Sequence, residues 1–443
     1  MTSCEKYLGL PMIGGKSKVS TFKELQERIT KKVMGWKEKT ISKAGRETLI
    51  KAVAQAIPTY SMSIFQIPKC VCDDINSILA KYWWGQTRNE KKIHWINWKR
   101  LCTPKNRGGM GFRDIHAFNL AMLAKQAWHL VTGSHSLFYR VYKARYFPRC
   151  SFMDAKLGHN PSFVWHSLIA ARDVLRVGSM WRIGDGQSIK NTSNKWLPHP
   201  PLFKPGADTT LKVGDLIHHD SMQWNRPLIQ STFMQSTQND ILRLQLSNTR
   251  TRDKLYWKEN KAREFTVKTA YQVALRLHRE VGVEHSTVGE EKRFWNRIWR
   301  MNVPPKVRNF VWRACTDILP TRANLYRRKI PIDPLCSICG QTDETVGHAL
   351  WECPMARNVW AVAQGRLQKC GIEAQSFYRL VRQLEEKFTG KEMENWATVA
   401  WAIWNARNRF CFEEKQSQPK DILQGASTLL RDYQRWNRDL AEP

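Results

Sequence analysis

The sequence lacks any apolar run of about 18 residues or more, the length an α-helix needs to cross a bilayer. Its first residues also lack the charged and apolar segments of a secretory signal peptide. Acidic residues are scarce, since 39 Asp and Glu stand against 71 Lys and Arg, a formal net charge of +32. We therefore expect no membrane association, and the usual partner of such an excess of positive charge is a polyanion such as nucleic acid.

The 11 cysteines are odd in number and show no regular disulfide-like spacing. This usage indicates a reducing compartment, and we expect an intracellular, nuclear protein. Hydrophobic residues make up 42% of the 443 residues, which is typical of a folded chain long enough for two to four domains. The sequence therefore predicts a globular protein with a substantial core.

Four potential metal ligands lie close together near the C-terminal third of the chain. Cys336, Cys339, His348 and Cys353 form the pattern C-x2-C-x8-H-x4-C. Three thiolates and one imidazole suit zinc, and four protein ligands leave no open position for water. The pattern predicts a structural zinc site. A redox C-x-x-C pair and a chance grouping of unrelated residues are the alternatives, although the nearby His348 and Cys353 disfavour the redox pair.

The N-terminal part reads as helical and basic. Phe22, Leu25, Ile29 and Val33 recur at helical spacing after a cap at Ser20 or Thr21, and a second helix is predicted from Ser42 to Ile57. Few acids are interspersed among the cations around this pair of helices. The cations are Lys31, Lys32, Lys37, Lys39, Lys43, Arg46 and Lys51. These cations could contact the phosphates of a nucleic acid, or they could simply form a solvent-exposed helix face, and the sequence leaves both interpretations open.

Asp73 and Asp74 are adjacent, as carboxylates of a two-metal catalytic site often are. They follow Pro68 and precede a periodic apolar segment, so the sequence predicts a helix from Asp73 to Trp84 with both acids in its first turn. We therefore interpret the pair as a helix cap rather than as metal ligands.

Farther along, Gly184-Asp185-Gly186 lies between Trp181-Arg182-Ile183 and Gln187-Ser188-Ile189, which predicts a β-hairpin. A second hairpin is predicted between 254–257 and 264–267, and the Pro-rich stretch 197–205 reads as a linker. The predicted fold class is α+β and mainly helical. The predicted domains are a helical region 1–176, a mixed region with hairpins 177–280, a zinc-binding domain 290–365 and a helical tail 366–443.

An ordered set of motifs resembles one family, the plant non-LTR (LINE-type) retrotransposon reverse transcriptases. The motifs are Tyr7-Leu8-Gly9-Leu10-Pro11, Ser42-Lys43-Ala44-Gly45-Arg46, Ile67-Pro68-Lys69, Tyr82-Trp83-Trp84-Gly85, Gly108-Gly109-Met110-Gly111-Phe112, Trp181-Arg182-Ile183-Gly184-Asp185-Gly186, Phe265-Thr266-Val267-Lys268 and Trp404-Asn405-Ala406-Arg407-Asn408. The Cys/His cluster, with Pro304-Pro305-Lys306 and Glu344-Thr345, resembles the reverse-transcriptase zinc-binding domain.

The resemblance implies a thumb-like region that grips a template–primer behind the polymerase palm. Lys43, Gly45, Arg46 and Lys51 are then expected near a nucleic-acid backbone, where Gly45 would permit close approach. A plain N-terminal helical turn is the alternative explanation for Gly45. Arg297, Arg300, Lys306, Arg308 and Arg313 form a second basic set. Contact with RNA or DNA is expected to be sequence-independent, because phosphates carry no sequence information directly.

The sequence also departs from the family pattern. The Tyr/Phe-x-Asp-Asp motif of the palm would precede Tyr7, and only 34 residues follow Arg409. We therefore expect no palm, no RNase H domain and no enzymatic activity. The predicted function is nucleic-acid binding with a structural zinc module. A zinc-stabilised protein-interaction scaffold and an inert product of a decayed element are the alternatives, and protein partners are not predicted.

Overall fold

The structure is a computed structural model. It describes residues 6–7, 10–11, 18–36, 41–85, 90–133, 136–218, 221–246, 251–277, 288–363, 365–367 and 376–439. Lys37, Lys39 and the centre of the Tyr7–Pro11 motif lie outside these ranges. So do residues 281–287, which belong to the polar stretch 281–289 that the sequence predicts to be a hinge.

The described residues are mainly helical. The α-helices, in chain order, are α1 Lys18–Met34, α2 Lys43–Leu49, α3 Thr59–Met62, α4 Lys69–Trp84, α5 Trp98–Leu101, α6 Ile115–Val131, α7 Leu137–Tyr146, α8 Phe163–Ala170, α9 Arg172–Gly178, α10 Arg226–Thr232, α11 Gln235–Leu242, α12 Val267–Leu277, α13 Val288–Arg300, α14 Pro305–Cys315, α15 Arg322–Arg327, α16 Pro354–Val362, α17 Phe377–Lys387, α18 Gly390–Glu413 and α19 Pro419–Asp439. Short π-helical turns cover Ile50–Ala54 and His348–Glu352, and 3₁₀ turns cover Lys105–Arg107, Val213–Leu216 and Gly365–Leu367. None of the described helices combines the length and apolar character of a bilayer-spanning segment.

The strands of the described residues are short and antiparallel. They are β1 Lys6–Tyr7 with β2 Leu10–Pro11, β3 Ser179–Arg182 with β6 Lys254–Trp257, and β4 Ile217–His218 with β5 Gln223–Trp224. Small two-stranded pieces among many helices confirm the predicted α+β, mainly helical class.

The chain forms two compact units that interleave along the sequence. Unit 1 contains residues 1–29, 55–75 and 114–282, and unit 2 contains residues 30–54, 76–113 and 283–443. The four domains expected from the sequence remain a prediction. Each unit is described by itself below.

In unit 1, α6 packs on α9 and α12 around a core rich in aromatic residues. Asp114 caps α6, since its side chain accepts a hydrogen bond from the Ala117 N–H. The side chains of Trp165 and Trp257 are fully buried in this core. The apolar residues Leu120, Leu123, Ala127 and Leu130 recur at helical spacing along α6 and are all buried.

Asn119 of α6 is a fully buried polar residue in the same unit. Its side-chain amide donates to the carbonyls of Met62 and Phe65 at 2.9 and 2.8 Å, and its oxygen accepts from the Ile67 N–H at 2.8 Å. These three bonds satisfy buried backbone groups that a non-helical turn leaves unpaired. Asn119 therefore fixes the segment between α3 and α4 against α6.

The predicted hairpin around Gly184-Asp185-Gly186 is wrong. β3 instead pairs with β6, in the register Ser179 to Trp257 and Arg182 to Lys254. The reason is Asp253, whose carboxylate accepts hydrogen bonds at 2.8 to 2.9 Å from the N–H groups of Gly184, Gly186 and Ser188. The glycine loop wraps around this carboxylate and leads β3 to the strand that follows Asp253.

The second predicted hairpin is also wrong, because 264–266 is not a strand and Val267 begins α12. Instead, the side-chain amide of Asn260 donates a hydrogen bond to the Glu264 carbonyl, and its oxygen accepts one from the Glu264 N–H. The Pro-rich stretch is not a linker, since Leu197 and Phe203 lie in a second small core of unit 1 with Phe233.

The core of unit 2 includes contacts of α14 with α13, α17 and α18, and of α18 with α19. Trp312 of α14 and Trp396 of α18 are fully buried. The indole N–H of Trp312 donates to the Gly108 carbonyl at 2.9 Å, which ties the Lys105–Arg107 turn to α14. α2 also packs on α14.

Three helix boundaries differ from the predictions. α1 begins at Lys18, before the predicted Ser20 or Thr21 cap, although Phe22, Leu25, Ile29 and Val33 are buried as expected. The second helix begins after Ser42 but is α-helical only to Leu49, and its π-helical continuation ends at Ala54. α4 begins at Lys69 because Pro68, with its fixed φ, immediately precedes it. Asp73 and Asp74 therefore lie beyond its first turn, and the capping interpretation is wrong.

Candidate metal centre and basic face

A short hairpin-like loop carries the first two candidate ligands. The Cys336 N–H donates to the Thr342 carbonyl at 2.8 Å, and the Gly340 N–H donates to the Cys336 carbonyl at 2.8 Å. Gly340 has φ +64°, a left-handed conformation that glycine adopts without strain. The turn therefore directs Cys336 and Cys339 toward the same point.

The other two ligands follow on a tight helical turn. His348 begins the π-helical segment and Cys353 directly follows its last residue, with the Cys353 N–H donating to the His348 carbonyl at 2.8 Å. The His348 N–H donates to the Thr345 side chain at 3.0 Å. Pro354 then begins α16, so the ligands lie between a fixed hairpin and a fixed helix.

The structure brings all four predicted ligand residues together. Their ligand atoms lie within 4.8 Å of one another. The Sγ atoms of Cys336 and Cys353 are 4.0 Å apart, and Cys339 Sγ is 3.3 Å from His348 Nε2. Tetrahedral zinc, with bonds of about 2.3 Å to sulfur and 2.0–2.1 Å to nitrogen, places such atom pairs about 3.8 and 3.6 Å apart. The donor set and its spacing therefore fit zinc.

The imidazole of His348 is oriented by a neighbouring hydroxyl. Thr342 Oγ1 lies 2.9 Å from His348 Nδ1, while Nε2 faces the thiols. An Nδ1–H that donates to Thr342 leaves the Nε2 lone pair for a metal, an arrangement common around zinc-bound histidines. Thr342 is therefore a positioning residue for His348, and no motif in the sequence points to it.

The thiol pKa values differ within the cluster. Burial raises the pKa of Cys353 to about 12 and also raises the pKa of Cys336. At Cys339 burial acts in the same direction, but hydrogen bonds from the backbone N–H groups of Gln341 and Thr342 and from the Cys336 thiol outweigh it and lower the pKa. Buried thiols of this kind ionise readily only when a cation joins them, so metal binding here would release protons.

A buried ion pair attaches the segment that carries the four candidate ligands, residues 336–353 and here called the metal loop, to α18. Glu344 is fully buried, and its two carboxylate oxygens accept hydrogen bonds from Nε and Nη2 of Arg407. Glu344 Oε1 also accepts from the Arg322 N–H at 3.1 Å. Removing one partner would leave a buried charge uncompensated. Both residues belong to the motifs quoted above, but nothing in the sequence connects them with each other.

The basic residues predicted on α2 are half-buried and engaged within unit 2. The Lys43 ammonium contacts the Trp83 carbonyl and lies 5.0 Å from the centroid of the Trp83 ring. The Arg46 guanidinium lies 3.4 Å from the Tyr82 carbonyl. At Gly45, an added Cβ would approach Ile41 Cγ2 to 2.8 Å, so local packing alone accounts for the glycine.

Lys51 and Lys105 share the carboxylate of Glu47, at 2.6 and 2.7 Å. Lys51 also donates to the Met110 carbonyl at 2.7 Å, and burial lowers its pKa. The Lys105 ammonium lies 4.3 Å from the centroid of the Trp299 ring. Lys105 therefore joins the predicted basic residues, although it was not among the candidate site residues.

The basic residues predicted on α13 and α14 divide by accessibility. Arg297 donates to the carboxylate and carbonyl of Glu385 at 2.8 Å, and Arg308 lies 3.3 Å from the Trp299 carbonyl. Burial lowers the pKa of Arg313 to about 10. Arg300 and Lys306 are exposed and form no ion pair with a described acid. Among the predicted cations on α13 and α14, these two are the exposed ones.

Asp73 and Asp74 are exposed on α4, and Asp74 accepts a hydrogen bond from Gln26 at 3.4 Å. Neither belongs to a group of potential metal ligands within the described residues. The 443 residues contain no Tyr/Phe-x-Asp-Asp sequence.

The described residues are thus mainly helical, and they contain a Cys₃His cluster that could hold a metal ion and whose donor set fits zinc. Residues 265–360 match the family model for zinc-binding in reverse transcriptase. The chain belongs to the retrotransposon reverse transcriptase-derived proteins.

Two relatives from Arabidopsis thaliana support this assignment. An uncharacterized mitochondrial protein is 40% identical over 152 residues, which are 33% of this chain and 99% of the relative. A protein named as a ribonuclease H protein is 28% identical over 420 residues, or 89% of this chain. The chain spans 64% of the length of that relative.

Proposed function

We propose that this chain binds nucleic acid without sequence preference, and that zinc at Cys336, Cys339, His348 and Cys353 stabilises the fold rather than taking part in chemistry. The observation that carries the proposal is the net charge of +32 in a chain of the reverse-transcriptase family. Phosphates neutralise such an excess and account for most sequence-independent affinity. We propose a nuclear location and no catalytic role for this part of the chain.

The surface proposed for this contact is the basic face of unit 2. It is formed by Lys43, Gly45, Arg46, Lys51, Lys105, Arg297, Arg300, Lys306, Arg308 and Arg313. Two packing contacts support this surface: α2 packs on α14, and the Lys105–Arg107 turn packs on α13. The cations therefore lie on elements that contact one another. Arg300 and Lys306 are proposed to reach phosphates, while Lys43 and Lys51 hold backbone carbonyls that shape the face.

A salt series tests the proposal. Affinity of the full chain for a duplex and for an unstructured single strand is measured at increasing salt. The double variant Arg300→Gln with Lys306→Gln should reduce the log–log slope by about 1.8 on duplex, or about 1.4 on a single strand, if both residues contact phosphate. Every sequence should weaken alike, because phosphates carry no sequence information directly.

The matched control removes two exposed cations elsewhere in unit 2, Lys391→Gln with Lys420→Gln. Parallel lines for the Arg300/Lys306 variant and the wild type would remove this face from the binding site. Weak, salt-insensitive binding by the wild type would instead favour a protein-interaction scaffold.

A further inference from the structure

Unit 1 contains a cleft whose lining residues are not among those of the basic face proposed for unit 2. It lies beside α6, β3 and β6 and has a volume of about 480 Å³, within the range of small-ligand sites. Its lining combines cations with aromatic rings. The residues that matter here are Lys125, Trp128, Arg182, Lys254, Tyr256 and Arg263.

The cations of the cleft outnumber its acids, since Glu264 is the one carboxylate among lining residues that include four Lys and Arg. Arg182 and Lys254 are directly opposite each other in the β3–β6 register, so their side chains project from the same face. Like charges at such a position are destabilising. Lys125 and Arg263 are exposed beside them, and none of the four forms an ion pair with a described acid. This repulsion would be relieved by a bound anion.

The aromatic rings of the cleft are held in place from behind. Trp128 stacks on Phe265 with ring centroids 5.6 Å apart and meets the buried Trp257 edge-on at 5.9 Å. The Arg263 guanidinium lies 5.2 Å from the centroid of the Tyr256 ring. Half-buried, fixed rings beside cations form the combination that binds unpaired bases by stacking and their phosphates by charge.

Arg263 also has an unusual backbone. Its φ is +58°, a conformation that non-glycine residues rarely adopt. The Arg263 carbonyl accepts from the Trp257 N–H at 3.3 Å, which holds the turn in this conformation. The turn thus keeps the guanidinium at the cleft.

We propose that this cleft binds a single-stranded nucleic-acid segment, with phosphates at Arg182 and Lys254 and an unpaired base against Trp128 or Tyr256. A duplex fits less well, because its bases are stacked inside and cannot reach the rings. The proposal rests on the proposed nucleic-acid binding but assigns a separate site with its own preference. An acidic peptide would match the cations but would leave the ring faces unused.

The test uses the full chain and a labelled, unstructured oligonucleotide about 12 nucleotides long, within the usual range of site sizes. Arg182→Gln with Lys254→Gln should weaken single-strand binding about tenfold and reduce the salt slope by about 1.4. The same variant should melt no lower than the wild type, because it removes a repulsive pair. Lys261→Gln with Lys268→Gln removes equal charge from exposed positions outside the cleft and should bind nearly as the wild type does.

A second measurement locates the base. An oligonucleotide carrying 5-iodouracil should, on irradiation, crosslink to Trp128 or Tyr256, and the crosslink should disappear in Trp128→Leu with Tyr256→Leu. The proposal would be overturned if the Arg182/Lys254 variant and its control lost the same amount of single-strand affinity, or if the crosslinks formed only at other residues. It would also be overturned if an acidic peptide, but no oligonucleotide, bound in the cleft. If the chain bound no nucleic acid at all, the proposed function would be wrong as well. If binding weakened only when Arg300 and Lys306 were substituted, the proposed function would stand and only the cleft proposal would be wrong.

Discussion

At the residue scale, several cations of this chain are held by their own protein. Lys43 and Lys51 donate hydrogen bonds to backbone carbonyls, and Arg297 forms an ion pair with Glu385. A basic residue in a basic sequence is therefore not always a phosphate contact. The distinction depends on which side chains remain exposed and lack an acid, as Arg300 and Lys306 do.

Lys258 of unit 1 provides a residue-scale prediction about pH. Burial and the neighbouring ammonium of Lys195 lower the pKa of Lys258 to about 8, from an ordinary value of 10.5. Glu259 opposes this shift and Arg276 reinforces it. Between pH 8 and 10.5 the unfolded chain therefore holds more protons at this position than the folded chain, so the free energy of unfolding should rise with pH across that window.

Urea unfolding of unit 1 at several pH values from 7 to 10.5 measures this rise, with tryptophan fluorescence as the signal. Lys258→Met should be more stable than the wild type at pH 7 and should lose the part of the rise that Lys258 contributes. Lys261→Met, an exposed neighbour, should retain it. Parallel stability profiles for wild type and Lys258→Met would contradict the argument.

At the scale of elements, the metal loop is stabilised from two sides. The hairpin turn and the His348–Glu352 turn arrange the ligands locally, and Glu344 with Arg407 fastens the loop to α18. The region matched by the zinc-binding family model ends at residue 360, so α18 extends the structural module beyond it.

Arg407→Met should destabilise unit 2 by about 3–5 kcal/mol, because it leaves the Glu344 carboxylate buried without its cation. The urea midpoint of the unit 2 transition measures the effect. Arg409→Met, exposed on the same helix, should change it by less than about 0.5 kcal/mol. Adding Glu344→Gln to Arg407→Met should recover part of the loss, and equal midpoints for Arg407→Met and wild type would show that the pair is not a stabilising contact.

At the scale of the whole molecule, the two units have cores of their own, and the candidate metal loop belongs to unit 2 alone. Zinc removal should therefore loosen one unit and spare the other. With a zinc chelator, amide hydrogen exchange should accelerate between about residues 336 and 353 and in α18, while α6 and α12 of unit 1 keep their protection.

Native mass spectrometry should find one zinc per chain. Cys353→Ser should lose it and reproduce the effect of the chelator, while Cys150→Ser, an exposed free thiol, should keep it. Stoichiometric zinc in the double variant Cys336→Ser with Cys353→Ser would contradict the ligand assignment, and uniform loosening of both units would contradict their independence.

The sequence by itself determined the features that depend on neighbours along the chain. The apolar period of α6 and its Asp114 cap predict that helix, because helical contacts recur every three or four residues. The cluster of Cys336, Cys339, His348 and Cys353 was predictable for the same reason, since all four ligands come from the short segment 336–353. The excess of positive charge needs no structure at all.

Only the tertiary structure decided the pairings between distant segments. Asp253 draws the glycine loop to itself and pairs β3 with β6 rather than with its neighbour, because three hydrogen bonds to a carboxylate outweigh a local hairpin. The Glu344–Arg407 pair and the opposition of Arg182 to Lys254 likewise join segments far apart in sequence. Local propensity carries no information about such partners, since their energy exists only once the chain has folded.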